Sequence, residues 1–228
     1  MRVVVLTGAG ISAESGVATF RDSGGLWEGH DVEDVATPEG FARDPDLVHR
    51  FYDARRRGLA LVAPNPAHAA LAALEETLGE DLLVVTQNVD DLHERAGLRR
   101  VVHMHGELRR ARCQACGARP AWDTDLQGAP PCPVCGRAEL RPDVVWFGEV
   151  PYALEVIDRA LTGCELFVAV GTSGAVYPAA GYVALAAHSG ARTVELNLEP
   201  SAVSRYFDEV RTGPAVQLVP QWVAEVLG

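Results

Sequence analysis

Lysine is absent from this chain: all twenty basic side chains are Arg, so the protein has no side-chain amine of its own to be modified. Long apolar runs are missing too. None approaches the ~18 residues that a membrane span needs, which excludes a membrane partner of that kind. The N-terminal MRVVVLTGAG breaks after five apolar residues with no cleavage pattern, so a secretory leader is not expected and the first residues read as a buried strand of a cytoplasmic protein. Aromatic residues make up only 7%, against 48% hydrophobic residues in all, an ordinary balance for a soluble enzyme with a core. Positive charge is in deficit, with a net formal charge of -11. An acidic surface repels phosphate backbones, so no direct nucleic-acid partner is expected. The same charge aids solubility and weakly attracts basic, lysine-rich polypeptides.

The apolar runs that do occur are short. Val3 to Leu6, Leu82 to Val85, Leu166 to Val170 and Thr193 to Asn197 have the continuous character of strands buried on both faces. Helical patterns such as Ala67 to Leu78 and Tyr152 to Leu161 lie between them. This alternation predicts an α/β fold with a Rossmann-like parallel sheet, whose ligands bind beyond the carboxyl ends of the strands. Residues 1–36, 62–106 and 141–228 are assigned to that sheet domain. Residues 37–61 form a helical insertion, and residues 107–140 form a small module rich in Cys, Gly and Pro that needs a metal staple.

Gly8-Ala9-Gly10-Ile11-Ser12-Ala13 follows the first strand and fits a dinucleotide-binding turn. Gly8 is expected to permit the tight turn, and Gly10 to let the backbone approach a pyrophosphate at a helix N-terminus. A dehydrogenase would continue into a second strand ending in an acid. Here TFRDSGGLWEGHDVED reads as a loop, so the cofactor site is not built for hydride transfer. Cys113-x-x-Cys116 and Cys132-x-x-Cys135, fifteen residues apart, match a closed four-thiolate site for one structural zinc. Cys164 reads as a buried small hydrophobe.

Gln87, Asn88, Asp90 and Asp91 follow a strand directly. His103 and His105 alternate within VVHMHG, which predicts one strand that presents both to the same face and ends at Gly106. A His there has the pKa range of a general base. In Phe51 to Gly58, Tyr52 and Arg55 share a helical face by their spacing of three. Arg56 and Arg57 read as complements of a helix C-terminal dipole, with Gly58 as the cap.

These segments together resemble the sirtuin family. GAGISAESGVATFR, TQNVDDLH, HMHGEL, the cysteine quartet, RPDVVWFGE, GTSGAVYPAA and NLEPS occur in the family's order between Gly8 and Ser201. The resemblance implies a lysine deacylase that consumes NAD: the acyl amide oxygen attacks C1′ of the nicotinamide ribose, nicotinamide leaves, and the products are free lysine and 2′-O-acyl-ADP-ribose. Its partners would be acyl-lysine proteins or peptides. It implies catalytic roles for His105, as base, and Asn88. NAD would lie against Gly8, Ala9, Gly10 and Ala13, the mobile-loop residues Phe20, Arg21 and Trp27, and Gln87, Asn88, Val89 and Asp90. Gly171, Thr172, Ser173, Asn197, Leu198, Glu199 and Ala215 would complete that site, with Glu199 supplying a ribose acid. Val145 to Glu149, including Phe147 and Gly148, would pair with the substrate as an added strand. Ala36, Tyr52 and Arg55 resemble the class that removes succinyl and malonyl groups, with Arg55 gripping the distal carboxylate. Val89 stands where the family commonly has Ile. A protein ADP-ribosyltransferase would use the same NAD activation with another acceptor, and its product tells the two apart. An idle NAD sensor would not need Asn88, Asp90 and His105 together.

Overall fold

Strand β1 (Val3–Thr7) is buried along its whole length, and its side chains alternate between two cores. Val3 and Val5 face one, Val4 and Leu6 the other. The computed structural model describes residues 1–18, 26–27 and 29–228, with the backbone only at 26 and 27. Phe20 and Arg21 therefore lie outside the described residues, as does the side chain of Trp27.

After β1 the chain forms α1 (Gly10–Ala13), a short β2 (Leu26–Trp27) and β3 (His30–Asp31), then α2 (Val32–Val35), α3 (Pro38–Arg43) and α4 (Pro45–Leu59). It continues through α5 (Pro66–Leu78), β4 (Leu82–Thr86), α6 (Leu92–Arg95) and β5 (Val101–His103) to an antiparallel pair, β6 (Gly106–Cys113) and β7 (Leu140–Val144). The last part comprises α7 (Leu154–Gly163), β8 (Leu166–Val170), α8 (Tyr182–His188), β9 (Arg192–Asn197), β10 (Glu209–Thr212) and α9 (Ala215–Leu227). Six strands make one parallel sheet in the order β10-β9-β8-β1-β4-β5. The chain builds outward from β1 in one direction and then returns to build in the other, so the order reverses between β1 and β8. Helices α5 and α9 cover one face through Leu71, Leu74, Val219 and Trp222; α7 and α8 cover the other through Ile157, Leu161, Val183 and Ala186. Truncating a fully buried Leu such as Leu74 to Ala should cost about 2–5 kcal/mol. No helix among the described residues is long and apolar enough to cross a membrane.

Four local expectations need correction. The strand expected through His105 stops at His103; Met104 and His105 form a turn, and Gly106 opens β6 instead of closing β5. Gly106 has φ 82, and a Cβ there would sit 2.1 Å from the Asp143 carbonyl oxygen, so only glycine fits. Helix α7 starts at Leu154, two residues after the expected Tyr152, because Ala153 adopts a left-handed backbone (φ 57). Gly58 lies inside α4, which is capped by Ala60. Arg56 is no surface complement to the dipole either: it is buried, pairs with Asp53 at 2.7 Å and donates from Nε to the Leu108 carbonyl. Asp53 also accepts the backbone amides of Leu126 and Gln127. The 107–140 segment is thereby fastened to α4, and it adds a small core of Ala111, Leu126 and Leu140.

Two buried imidazoles meet beneath the sheet's carboxyl edge. His68 of α5 and His93 of α6 pack edge to face at 5.0 Å. Burial lowers their pKa values to about 4 and about 3, from an ordinary 6.5. Well above pH 6.5 neither the folded nor the unfolded chain protonates them. Below it the unfolded chain binds up to two more protons, so stability is lost as pH falls from 6.5 toward 4. The limiting slope is about 2.7 kcal/mol per pH unit. Urea unfolding between pH 7.5 and pH 5 should show this loss, and His93→Gln should remove about one proton from the slope; an unchanged slope in that variant would count against the assignment.

Candidate active site

The strand order reverses where two turns touch. The Gly8 amide donates to the Val170 carbonyl at 2.9 Å, and the Gly10 amide to the Gly171 carbonyl at 2.8 Å. A Cβ on Gly8 would lie 2.7 Å from the Gly171 oxygen, and one on Gly10 would lie 2.7 Å from the Gly171 Cα. These glycines are thus required for the approach of one turn to the other. Helix α1 is a single turn of four residues. The neighbouring strand ends are tied together as well: Gln87 Nε2 donates to Thr172 Oγ1 at 2.9 Å, and Asn197 Nδ2 to the Thr172 carbonyl at 2.8 Å.

Above these turns opens a cavity of about 860 Å³. It brings together nearly every expected site residue that the structure describes. One wall carries the Gly8–Ala13 turn, another the Gln87–Asp90 segment with His105, and a third Gly171 to Ser173 with Asn197, Leu198 and Ala215. Glu199 does not join them; it is exposed and lies outside the cavity wall. The buried acid on that side is Glu195, which is committed to Ser201 and Ser204.

Within the cavity lining lies a polar network that sequence reading did not single out. Ser12 Oγ accepts from Asn88 Nδ2 at 3.1 Å and donates to Asp90 Oδ2 at 2.9 Å, with His68 Nε2 at 3.4 Å. Ser12 is fully buried. Its hydroxyl orients Asn88 and Asp90 relative to one another, and the only sequence signal for it was its place in the glycine turn. Burial raises the Asp90 pKa, partly offset by its bonds from Leu92 and Ser12.

The two histidines of HMHGEL part company. His103 bonds the Asn88 carbonyl and the Glu94 carboxylate (2.7 Å) and lies outside the cavity wall. Burial opposes its charge, but the Glu94 bond together with the charges of Glu94 and Glu107 and the Asn88 bond outweighs it, and its pKa rises. His105 lines the cavity. Its Nδ1 lies 3.0 Å from the Gln87 carbonyl, which can only accept, so Nδ1 carries the hydrogen and Nε2 is the basic nitrogen. Burial lowers the His105 pKa, with the Gln87 bond a partial offset. The ring is therefore neutral near pH 7.

A further part of the cavity lining is built on α4 and on the segment after β7. Tyr52, Arg55 and Ala36 line it together with Val145, Phe147 and Gly148. The 145–149 segment is held firmly. The Phe147 amide donates to the Ala36 carbonyl at 2.9 Å and the Val145 amide to the His105 carbonyl at 2.8 Å. Arg141 grips Glu149 through two bonds of 2.9 and 2.7 Å and stacks over Trp146 at 3.7 Å. The Trp146 indole donates to the Tyr52 hydroxyl at 3.0 Å.

The four paired cysteines converge. Their sulfurs lie within 4.8 Å of one another, with Cys113–Cys135 at 3.6 Å and Cys116–Cys132 at 3.9 Å. A tetrahedral zinc with bonds of ~2.3 Å requires sulfurs about 3.8 Å apart. The donor set therefore fits zinc, four thiolates leave no open position, and the role is structural.

The Sir2 family model matches residues 8–178. A protein of Pasteurella multocida (strain Pm70) described as an NAD-dependent protein deacylase is 56% identical over 230 residues, covering 100% of this chain and 98% of its own length. Among solved structures, a Sir2 homolog–NAD complex superposes with a TM-score of 0.90 at 38% identity, covering 99% of this chain and 89% of that one. A Sir2 protein bound to acetylated peptide gives 0.84 at 29%, covering 99% and 93%. The chain belongs to the Sir2 family.

Metal analysis of protein purified without chelator should give one zinc per chain. Cys132→Ser should release it and lower the melting temperature by roughly 10 °C, because folding of the ribbon and metal binding are one process. Metal-free protein with unaltered melting would remove the assignment.

Proposed function

We propose that this Sir2-family chain is an NAD-dependent protein lysine deacylase that prefers succinyl and malonyl groups to acetyl. The observation that carries this reading is one cavity whose lining holds Arg55 and Tyr52 together with Asn88 and His105. Relatives described as NAD-dependent deacylases and a Sir2 structure with acetylated peptide support the reaction class. The absence of Lys means that assays are not complicated by acylation of the enzyme's own side chains.

When bound, NAD supplies an electrophilic ribose carbon and the nicotinamide leaving group. The glycine turns at Gly8–Gly10 and Gly171–Ser173 receive its phosphates and adenosine side, with Ala13, Asn197, Leu198 and Ala215 beside them. Gln87, Asn88, Val89 and Asp90 hold the nicotinamide ribose side, with Ser12 keeping Asn88 and Asp90 in register. His105 Nε2 takes the proton of a ribose hydroxyl, and the Gln87 carbonyl holds the ring in the required tautomer. The backbone of 145–149 pairs with the substrate peptide. Arg55 takes the distal carboxylate, Tyr52 adds a hydroxyl donor, and Ala36 leaves room for the longer chain. Residues 37–61 and 107–140 form the smaller lobe, joined through Asp53 and Arg56.

His105→Ala should lower turnover by ~10²–10⁴ with the melting curve preserved. The lowered His105 pKa places the acid limb of the pH–rate profile below the ordinary imidazole value of 6.5, since the ring stays neutral to lower pH. A limb above that value, or a fully active His105→Ala enzyme, would reject the base.

Arg55→Met should reduce desuccinylation kcat/KM by roughly 2–4 kcal/mol of transition-state stabilisation. Deacetylation should suffer far less, since acetyl carries no carboxylate. Kinetics on matched peptides, with products identified by mass spectrometry, test both points: equal losses on the two substrates would deny Arg55 its acyl role, and ADP-ribose left on protein would indicate a transferase.

A further inference from the structure

The bond from the Trp146 indole to the Tyr52 hydroxyl has a fixed polarity. An indole N–H donates and never accepts, so the phenolic oxygen must be the acceptor at 3.0 Å and the phenolic hydrogen is not used in this bond. A phenol O–H lies in the plane of its ring and has two positions, one on each side. A donor on one side disfavours the hydrogen there and selects the other. Accepting a bond also polarises the hydroxyl and makes it the stronger donor.

The indole that imposes this choice is itself immobilised. Trp146 is 2% exposed. The Arg141 guanidinium covers one side at 3.7 Å, and the Phe41 ring packs at 5.2 Å. The Trp146 amide is bonded to Glu149 Oε2 at 2.9 Å, and Glu149 in turn is gripped by Arg141. Tyr52 is fully buried, and burial raises its pKa, which keeps the hydroxyl protonated. Trp146, Tyr52 and Arg55 all border the same cavity.

We propose that Trp146 is a specificity-determining positioning residue, whose indole N–H turns the Tyr52 hydroxyl into an oriented donor for the distal carboxylate of an acidic acyl-lysine. This rests on the acidic-acyl reading given above and adds to it. Arg55 alone would attract any carboxylate within reach. A second donor whose direction is set before binding adds to the grip without a reorientation cost.

The test is a double-mutant cycle read as the ratio of kcat/KM for succinyl-lysine to that for acetyl-lysine peptide. Wild type, Trp146→Phe, Tyr52→Phe and the double variant are compared. Trp146→Phe keeps a ring against Arg141 and deletes the N–H; the ratio should fall on the order of tenfold, mainly through KM for the succinyl peptide. In the Tyr52→Phe background the same change should have no further effect on the ratio, because the donor it orients is gone. A merely structural Trp146 would depress both substrates alike, or lower the ratio by its full factor in either background, and either result overturns the proposal. If Trp146→Phe folds poorly, benzothienylalanine at position 146 replaces the N–H by sulfur at nearly constant shape and should reproduce the fall; an unchanged ratio with that residue also overturns it. Arg55→Met separates the two levels. A ratio sensitive to Arg55 and insensitive to Trp146 defeats only the positioning role, whereas a ratio insensitive to Arg55 defeats the acidic-acyl reading and this inference with it.

Discussion

The contact between the turns after β1 and β8 is the constraint on which the rest depends. Gly8 and Gly10 lie so close to Gly171 that no side chain fits between them. Two parallel strands running from opposite halves of the sheet can end side by side only if their exits do not collide. With glycine on both, the exits dock through backbone hydrogen bonds, and the chain turns away on each side to leave a hollow above. The cavity is the consequence of that docking, and its three walls are the segments that leave β1, β4 and β8.

Helix α4 unites the other half of the molecule. One face holds Asp53 and Arg56, which bind the backbone of the cysteine-rich segment and the Leu108 carbonyl. The adjoining face holds Tyr52 and Arg55, which border the cavity. A buried ion pair offsets its desolvation only when its remaining polar atoms are satisfied. Asp53 meets that condition with two backbone amides besides Arg56, and Arg56 meets it at Nε and Nη1 through the Leu108 and Thr124 carbonyls, but its buried Nη2 has no hydrogen-bond partner. The cysteine-rich module, the helix and the Tyr52–Arg55 part of the cavity are thus parts of one mechanical unit. The arginine–glutamate clamp on Trp146 completes it from the β7 side.

Charge in the site is kept low by burial. His68, His93 and His105 all have depressed pKa values, and the Asp90 pKa is raised. His103 alone among the neighbouring imidazoles has a carboxylate partner, and its pKa moves the other way. A neutral imidazole with its Nδ1 hydrogen tied to a carbonyl has its basicity at Nε2. This is why His105 and His103, two residues apart, are chemically unlike.

The sequence by itself determined the parallel α/β order, since continuous apolar runs alternating with amphipathic stretches admit few other packings, and β8 fell at its expected bounds. It determined the four-thiolate site, because C-x-x-C spacing is local and the two pairs need only be brought together. It located most of the cavity's residues, which sit in short motifs at strand ends where the fold must expose them. Only the tertiary structure decided what depends on contacts across the chain. The glycines answer to another turn some 160 positions away, as Gly8 and Gly171 illustrate. Arg56 is a core residue because Asp53 and Leu108 surround it, which a run of three arginines does not reveal. Glu199 is exposed and falls outside the cavity although its neighbours Asn197 and Leu198 line it. Ser12 and Trp146 matter through single hydrogen bonds to Asp90 and Tyr52, 78 and 94 positions distant. Periodicity and spacing encode which face a residue takes on its own element. They do not encode which residue of another element meets it there, because that is fixed by packing after the elements assemble.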